Sequence, residues 1–296
     1  MANTNSPFGF AQYSGTGSSP TYEQVTAAIA SANTTAIFFG DPVVQATGTT
    51  GLGTGYIAQA AAPASLAVSG IVVTAGVAVA TFTATTAPAV GSTIVFTGTS
   101  FATGGGINGA YTITASTTTT ATFAVPGAFS STLTFGAAYV YTPPAGIFVG
   151  CKYLSTAQKR TVWSNYFPGS DANGDVTAYI VNDPDAQFVV QTANSNTTAT
   201  AVGLSSVGQN IGFSVGTGST STGVSAAYAD QYTLTANSTT GAASNAFLPF
   251  RIMSLANYTV GSTSPLASIN GNDSTTAYNR IVVGFNNSMP RGFAGI

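Results

Sequence analysis

The chain has 296 residues, of which 6 are Lys or Arg, 8 are Asp or Glu and none is His. A formal net charge of −2 leaves no basic stripe for nucleic acid, and the missing imidazoles remove the commonest general base and metal ligand. A hydrophobic fraction of 44% with 11% aromatic residues can bury a core, which argues against a disordered chain.

Thr, Val, Ile, Phe and Tyr dominate over Leu, Glu, Lys and Arg, and 34 Gly supply turns, so the composition predicts an all-β fold. The length allows one large domain or two ordinary ones. The lone Cys151 excludes an intramolecular disulfide and reads as a buried structural thiol. No Lys or Arg precedes Lys152, so no signal-peptide n-region is predicted and synthesis in the cytoplasm is expected. The most apolar window, Leu66 to Ala80, is diluted by Ser69, Gly70, Thr74 and Gly76. It falls short of the roughly 20 apolar residues of a spanning helix, so no membrane partner is expected.

In chain order, residues 1–20 combine Gly, Ser and Pro with spaced aromatics, and read as an extended N-terminal arm. Pro7, Phe8, Gly9, Phe10 and Tyr13 are its candidate partner contacts, with Phe8 and Phe10 docking on a neighbouring subunit. Residues 20–32 give a helix candidate, with Val25, Ala28 and Ile29 at helical spacing. Ala36 to Val44 reads as a short buried strand broken by the turn Gly40-Asp41-Pro42. From 65 to 140 the texture becomes two-residue alternation, as in Val77 to Thr83, Ser92 to Thr97, Ala110 to Thr114 and Ala121 to Val125. Four or five such strands predict an inserted small antiparallel β domain, Ig-like or barrel-like, between the two parts of a base formed by 21–64 and 141–296. Beyond it, Ala178–Val181 and Ala186–Gln191 around Asn182-Asp183-Pro184-Asp185 read as a hairpin. Further strands are expected at Ile211–Val215, Gln231–Thr235, Pro249–Leu255 and Arg280–Phe285.

The residues that could carry chemistry read as structural. Between Asp41 and Lys152 there is no Asp, Glu, Lys, Arg or His, so apart from a few side-chain amides this stretch offers only backbone, hydroxyls, phenols, one thiol and apolar surface. Asp171-Ala172-Asn173-Gly174-Asp175 has its Gly at the fourth position rather than the sixth of a calcium loop, and reads as a surface turn. Asp183 and Asp185 flank Pro184 in a turn with no base to set them apart. Gly104-Gly105-Gly106 lacks the Lys of a phosphate loop, and the serines lack a His. No catalytic residue, metal ligand or cofactor is predicted. Asn-x-Ser/Thr matches at Asn33, Asn196, Asn237, Asn257, Asn272 and Asn286 are expected by chance in so Thr-rich a chain.

Several short motifs, taken in order, resemble a family of tailed-bacteriophage capsid decoration (cement) proteins. They are Pro7-Phe8-Gly9-Phe10, Ile37 to Val43, the Gly-x-Phe-x-Gly-x-x-Tyr pattern of Gly146 to Tyr153, Trp163 with Tyr166, and Ala178 to Phe188. Arg251-Ile252 and Arg280 to Phe285 fit a similar finish. The family's arm continues with Arg-Pro, where this chain has Ala11-Gln12. The segment 65–140 lies outside this resemblance; Gly91 to Phe96, Asn108 to Ile113 and Ala121 to Phe123 are similar to a small β module of phage structural and bacterial surface proteins. The resemblance implies a non-enzymatic virion protein on the outer surface of a phage head. Its partners would be the major capsid protein and other copies of itself, as a trimer. The insert would project outward. The alternative is a fibre or adhesin-type protein that binds host surface glycan through the insert, around residues 96–112.

Overall fold

A computed structural model of the chain describes residues 3–14, 23–47, 54–62, 64–66, 68–84, 87–97, 100–101, 107, 109–125, 131–134, 137–195, 198–235, 248–256 and 273–289. The fold is all-β. The chain runs through β1 (Ala11–Ser14), β2 (Val25–Ile29), β3 (Pro42–Thr47) and β4 (Thr54–Gln59). Nine short pieces follow: β5 (Ala64–Leu66), β6 (Val68–Thr74), β7 (Val77–Phe82), β8 (Thr93–Thr97), β9 (Ser100–Phe101), β10 (Gly109–Ser116), β11 (Thr120–Ala124), β12 (Ser131–Thr134) and β13 (Ala137–Tyr141). The remainder is β14 (Gly146–Leu154), β15 (Thr161–Ser164), β16 (Val176–Val181), β17 (Gln187–Ala193), β18 (Asn210–Gly216), β19 (Ala226–Asp230), a helical turn α1 (Tyr232–Thr235), β20 (Phe250–Leu255) and β21 (Arg280–Phe285).

These strands form three sheets, and each closes on itself. Closure removes the exposed edges that would otherwise pair with other chains. In the first, β17, β19, β18, β20 and β21 form a ring, completed by the β17–β21 pairing. In the second, β14, β16, β2, β4 and β3 do the same, completed by β14–β3, with β15 flanking β14. In the third, β5 and β6, β8 and β9, and β12 and β13 are successive pieces, so nine strands amount to six segments joined in a ring of antiparallel pairs. Its core of Ile71, Ala80, Phe82, Ile94, Phe96, Ile113, Phe123 and neighbours shares no residue with the cores of the other two rings. The first two rings do share packing: Ile147 and Val181, from strands of the second, lie in the core of the first. The third ring enters and leaves the base on either side of one residue, because Val43 pairs with Gln59 on one edge and with Gly146 on the other. The two ends are therefore two strand spacings apart, about 10 Å.

The N-terminal arm is part of the base. β1 pairs with Gln187–Val189 at one end of β17, while β19 pairs with Thr192 and Ala193 at the other, so the arm extends the edge that β19 leaves bare. Gln191 donates to the Thr4 carbonyl, and Asn3 donates to the carbonyls of Asp273 and Ala277. Phe10, expected on a neighbouring subunit, is instead 1% exposed within this chain. It stacks on Phe250 at 4.5 Å and meets Phe188 and Phe213 edge-on at 6.5 Å. Burying a phenyl ring among three others is favourable enough that the chain's own core captures it.

Asp41 ties these parts together. The carboxylate is fully buried and accepts from the Phe38 amide (2.8 Å), the Gln59 side chain (2.7 Å) and the Ser225 hydroxyl. Gly40 donates to the Phe148 carbonyl, and its own carbonyl accepts from Phe10. Gly9 and Gly40 pass backbone against backbone: a Cβ on Gly9 would lie 2.9 Å from the Gly40 Cα, and both have positive φ, 77° and 91°. Only glycine fits both demands.

Three local expectations are overturned. Residues 20–32 are not helical over their described part: β2 pairs with β16 along its whole length, from Val25–Ile180 to Ile29–Val176. Tertiary pairing overrides the weak helical pattern of an Ala-rich pentapeptide. Asn182 to Asp185 does form a turn, with Ala186 donating to the Asp183 carbonyl, but it joins two rings rather than a hairpin. Both edges of β16 are already taken by β14 and β2, and those of β17 by β21 and by β1 and β19, so β16 and β17 have none left for each other. Gln231–Thr235 is not a strand, because the Asp230 carboxylate accepts from the Tyr232 amide and winds the chain into α1.

Burial pushes the Asp41 carboxyl above its ordinary value of 3.8, although its three donors pull the other way. A raised folded-state pKa means folding favours the protonated form. Its contribution is then greatest below pH 3.8 and falls as pH rises through the folded-state value. The wild type should therefore lose stability relative to Asp41→Asn as pH rises above 3.8, in urea unfolding at stepped pH. Asp41→Ala should cost about 3 kcal/mol by orphaning three donors. A parallel pH dependence of the two proteins would place the charge of Asp41 elsewhere.

Candidate functional site

Most of the carboxylates are occupied in holding loops. Asp171 accepts from the Ser155 hydroxyl (2.6 Å), the Thr156 hydroxyl (2.9 Å) and the Ala157 amide (2.9 Å), and the Ser155 bond leads in holding its carboxyl below the ordinary range. Asp175 accepts from the Tyr56 hydroxyl and the Ser31 amide, which lowers its pKa and raises that of Tyr56. Asp183 accepts from the Asp185 amide, Asp230 from Ser195 and Tyr232, and Asp273 from Thr275. Each closes an Asx-type turn or a loop. Among the described residues no three His, Cys, Asp or Glu side chains converge on one point. Among the described residues no helix is long and apolar enough to cross a membrane.

Of the arm's candidate contacts, Gly9 and Phe10 are buried inside this chain. Pro7 and Phe8 are half-buried, with the Arg280 guanidinium 5.1 Å from the centre of the Phe8 ring. Only Tyr13 stands out, 55% exposed. In the third ring the aromatic that alternation placed near 96–112 also turns inward. Tyr111 is half-buried and packs on Phe123 at 5.2 Å and Phe96 at 6.4 Å; Gly104 to Gly106 lie outside the described residues.

The second ring instead carries an aromatic ledge on its outer face. Trp163, the chain's only tryptophan, is 66% exposed on β15. Its ring lies 5.7 Å from that of Tyr179 on β16, with planes 12° apart. The strand between them, β14, makes this possible. Its Gly150 pairs with Tyr179 and carries no side chain, so the two rings approach over the gap. The next outward residue, Lys152, pairs with Trp163 and holds its ammonium 5.1 Å from the ring centre. An open groove of about 380 Å³ runs along the ledge, lined by Gln24, Val149, Gly150, Cys151, Trp163, Ser164, Asn165 and Tyr179. Asn165 is anchored by donating to the Thr222 carbonyl. A second cavity of about 450 Å³, between 32–35 and 58–61, is lined by Ala, Thr, Asn33 and Gln59 without an aromatic ring.

Sequence reasoning names Trp163 only as part of a motif. The signal was the placement of the sole Trp in a Thr-Val-Trp-Ser strand, where alternation puts Trp163 and Thr161 on one face. Which face is outward depends on the pairing with Lys152, which no local pattern reveals.

Comparison of the chain with family models, curated proteins and solved structures gives no match.

Cys151 forms part of the groove's floor but is itself buried, its thiol facing the Tyr166 carbonyl at 3.4 Å. Burial pushes its pKa up to about 12, so at pH 8 it is a thiol rather than the reactive thiolate. Alkylating reagents at pH 8 should leave the folded chain unmodified and label it fully in denaturant, read by intact mass. Labelling of the folded chain at the rate of a free thiol would contradict this placement.

Proposed function

We propose that the chain is a virion structural protein that decorates the outer surface of a phage head and cements contacts between major capsid subunits, without catalysis. The observation that carries this reading is where the motifs of the resemblance meet. Pro7 to Phe10, Ile37 to Val43, Gly146 to Tyr153 and Ala178 to Phe188 are far apart in the chain. In space, Gly9 and Phe10 abut Gly40, Gly40 donates to the Phe148 carbonyl, and Phe188 shares a core with Phe10. That the motifs meet in one base, rather than being scattered over separate parts of the molecule, supports the reading.

The physical character of the chain supports the same reading. Its rings are rigid closed sheets, and most of its few acids are engaged in turns. A decoration protein of this kind works by apolar and hydrogen-bonded contact repeated across many equivalent sites. At about 25 cal/mol per Å² of apolar surface buried, even a modest contact becomes strong when copies and contacts are multiplied. Tyr13, Leu154 and Met253 are exposed and available for such contacts. The third ring, joined to the base on either side of Val43, is free to project away from the head.

Heads assembled without this chain should rupture at lower temperature or milder osmotic shock than complete heads. Adding the purified chain should restore their stability at saturation. Heads equally robust with and without it, and no binding of the added chain, would overturn the reading.

A further inference from the structure

The ledge formed by Trp163 and Tyr179 has the chemistry of a carbohydrate site. We propose that it binds a neutral pyranose unit of a surface glycan, independently of how the base meets a capsid. A tryptophan exposed to 66% on a paired strand presents its ring to whatever approaches. The faces of aromatic rings are electron-rich, and they attract the weakly positive C–H face of a sugar ring. Tyr179 stacks against Trp163 with planes 12° apart and backs it, so the exposed indole itself offers the flat surface, suited to a saturated ring rather than to a branched side chain.

The rim selects the same class. The residues lining the groove are all uncharged: the amides of Gln24 and Asn165, the hydroxyls of Ser164 and Tyr179, and a floor at Val149, Gly150 and Cys151. Amides and hydroxyls both donate and accept, as sugar hydroxyls require, and nothing in the lining rewards a charged ligand. The volume of about 380 Å³ is at the small end of ligand sites, suited to one or two sugar units. Gly150 keeps the floor low, since a side chain there would meet the Ser164 carbonyl at 3.0 Å. Lys152 lies outside the lining with its ammonium over the Trp163 ring, 5.1 Å from its centre, and its flexible stem has to swing aside to let a sugar stack there, from where it can donate to a hydroxyl. An apolar protein segment fits this surface less well, because the amide and hydroxyl rim would lose water with nothing to replace it.

The site carries its own reporter, because Trp163 is the only tryptophan in the chain. Its emission should change saturably when the whole protein is titrated with neutral gluco-, galacto-, manno- or N-acetylglucosamine trisaccharides, for at least one of the four, in the millimolar range. Tyr179→Ala should weaken that binding about tenfold, the equivalent of one aromatic contact. Gln24→Ala, at an exposed position that leaves the core untouched, should weaken it several-fold while circular dichroism and melting stay unchanged. Trp163→Ala should abolish binding in calorimetry. The inference is overturned if no neutral trisaccharide alters the emission, or if the change persists in both Tyr179→Ala and Gln24→Ala. It is equally overturned if only sialylated or uronic-acid sugars bind, which would assign recognition to the Lys152 charge. Loss of head binding by Trp163→Ala, with no response to any sugar, would assign the ledge to the capsid contact; that result removes the sugar site and leaves the decoration reading standing.

Discussion

A buried carboxylate that accepts from three parts of the chain organises the base. Asp41 takes hydrogen bonds from its own turn at Phe38, from Gln59 in β4, and from Ser225 beside β19 in the other ring. Removing a carboxylate from water is expensive, and the shift of its pKa shows that the donors do not fully offset the cost. What Asp41 supplies is geometry. With Asp41 in place, Ser225 can also accept from the Ala227 amide, Gly9 can donate to the Ala227 carbonyl, and Phe10 is led into the phenyl cluster. Two closed rings and an N-terminal arm thereby become one base.

Much of the local structure is legible in the residues. In Val77 to Phe82 the alternation of the sequence becomes the alternation of burial, residue for residue, with Ala78, Ala80 and Phe82 inside. The turn at Gly40-Asp41-Pro42 is visible too, and the Asp41 amide closes it by donating to the Phe38 carbonyl. What stays hidden is long-range. The partner of Asp41, Ser225, is 184 residues away, and no local pattern distinguishes it from the chain's many other serines. The same holds for β2, whose few alanines fit a helix until β16 is placed beside them. Phe10 was legible as an aromatic seeking burial, but not that its own chain would bury it. The ledge was hidden for a related reason, since Trp163 and Tyr179 lie on two strands that meet only on either side of β14.

The three rings divide the work of the proposed protein. The first uses nearly all its aromatic residues inside, with Phe10, Phe188, Phe213, Phe250 and Phe285 in one cluster. The second buries Phe148 and Phe167 but leaves Trp163 outside. The third buries an uncharged core of its own and, among its described residues, shows the solvent threonines such as Thr112, Thr114, Thr117, Thr118 and Thr119 beside small apolar residues such as Val72, Val77 and Val90. A surface without charge has little electrostatic pull on other molecules. That suits a projecting module on a particle carrying many copies, where each additional charge would be multiplied across the shell.

The most direct trial of this account is a cryo-electron microscopy map of the particles whose genome encodes the chain, at a resolution that traces strands. The account predicts density for the two base rings over junctions between major capsid subunits on the outside of the head, with the third ring standing further out. Density for this fold only in the tail or interior, or none in any particle, would contradict it.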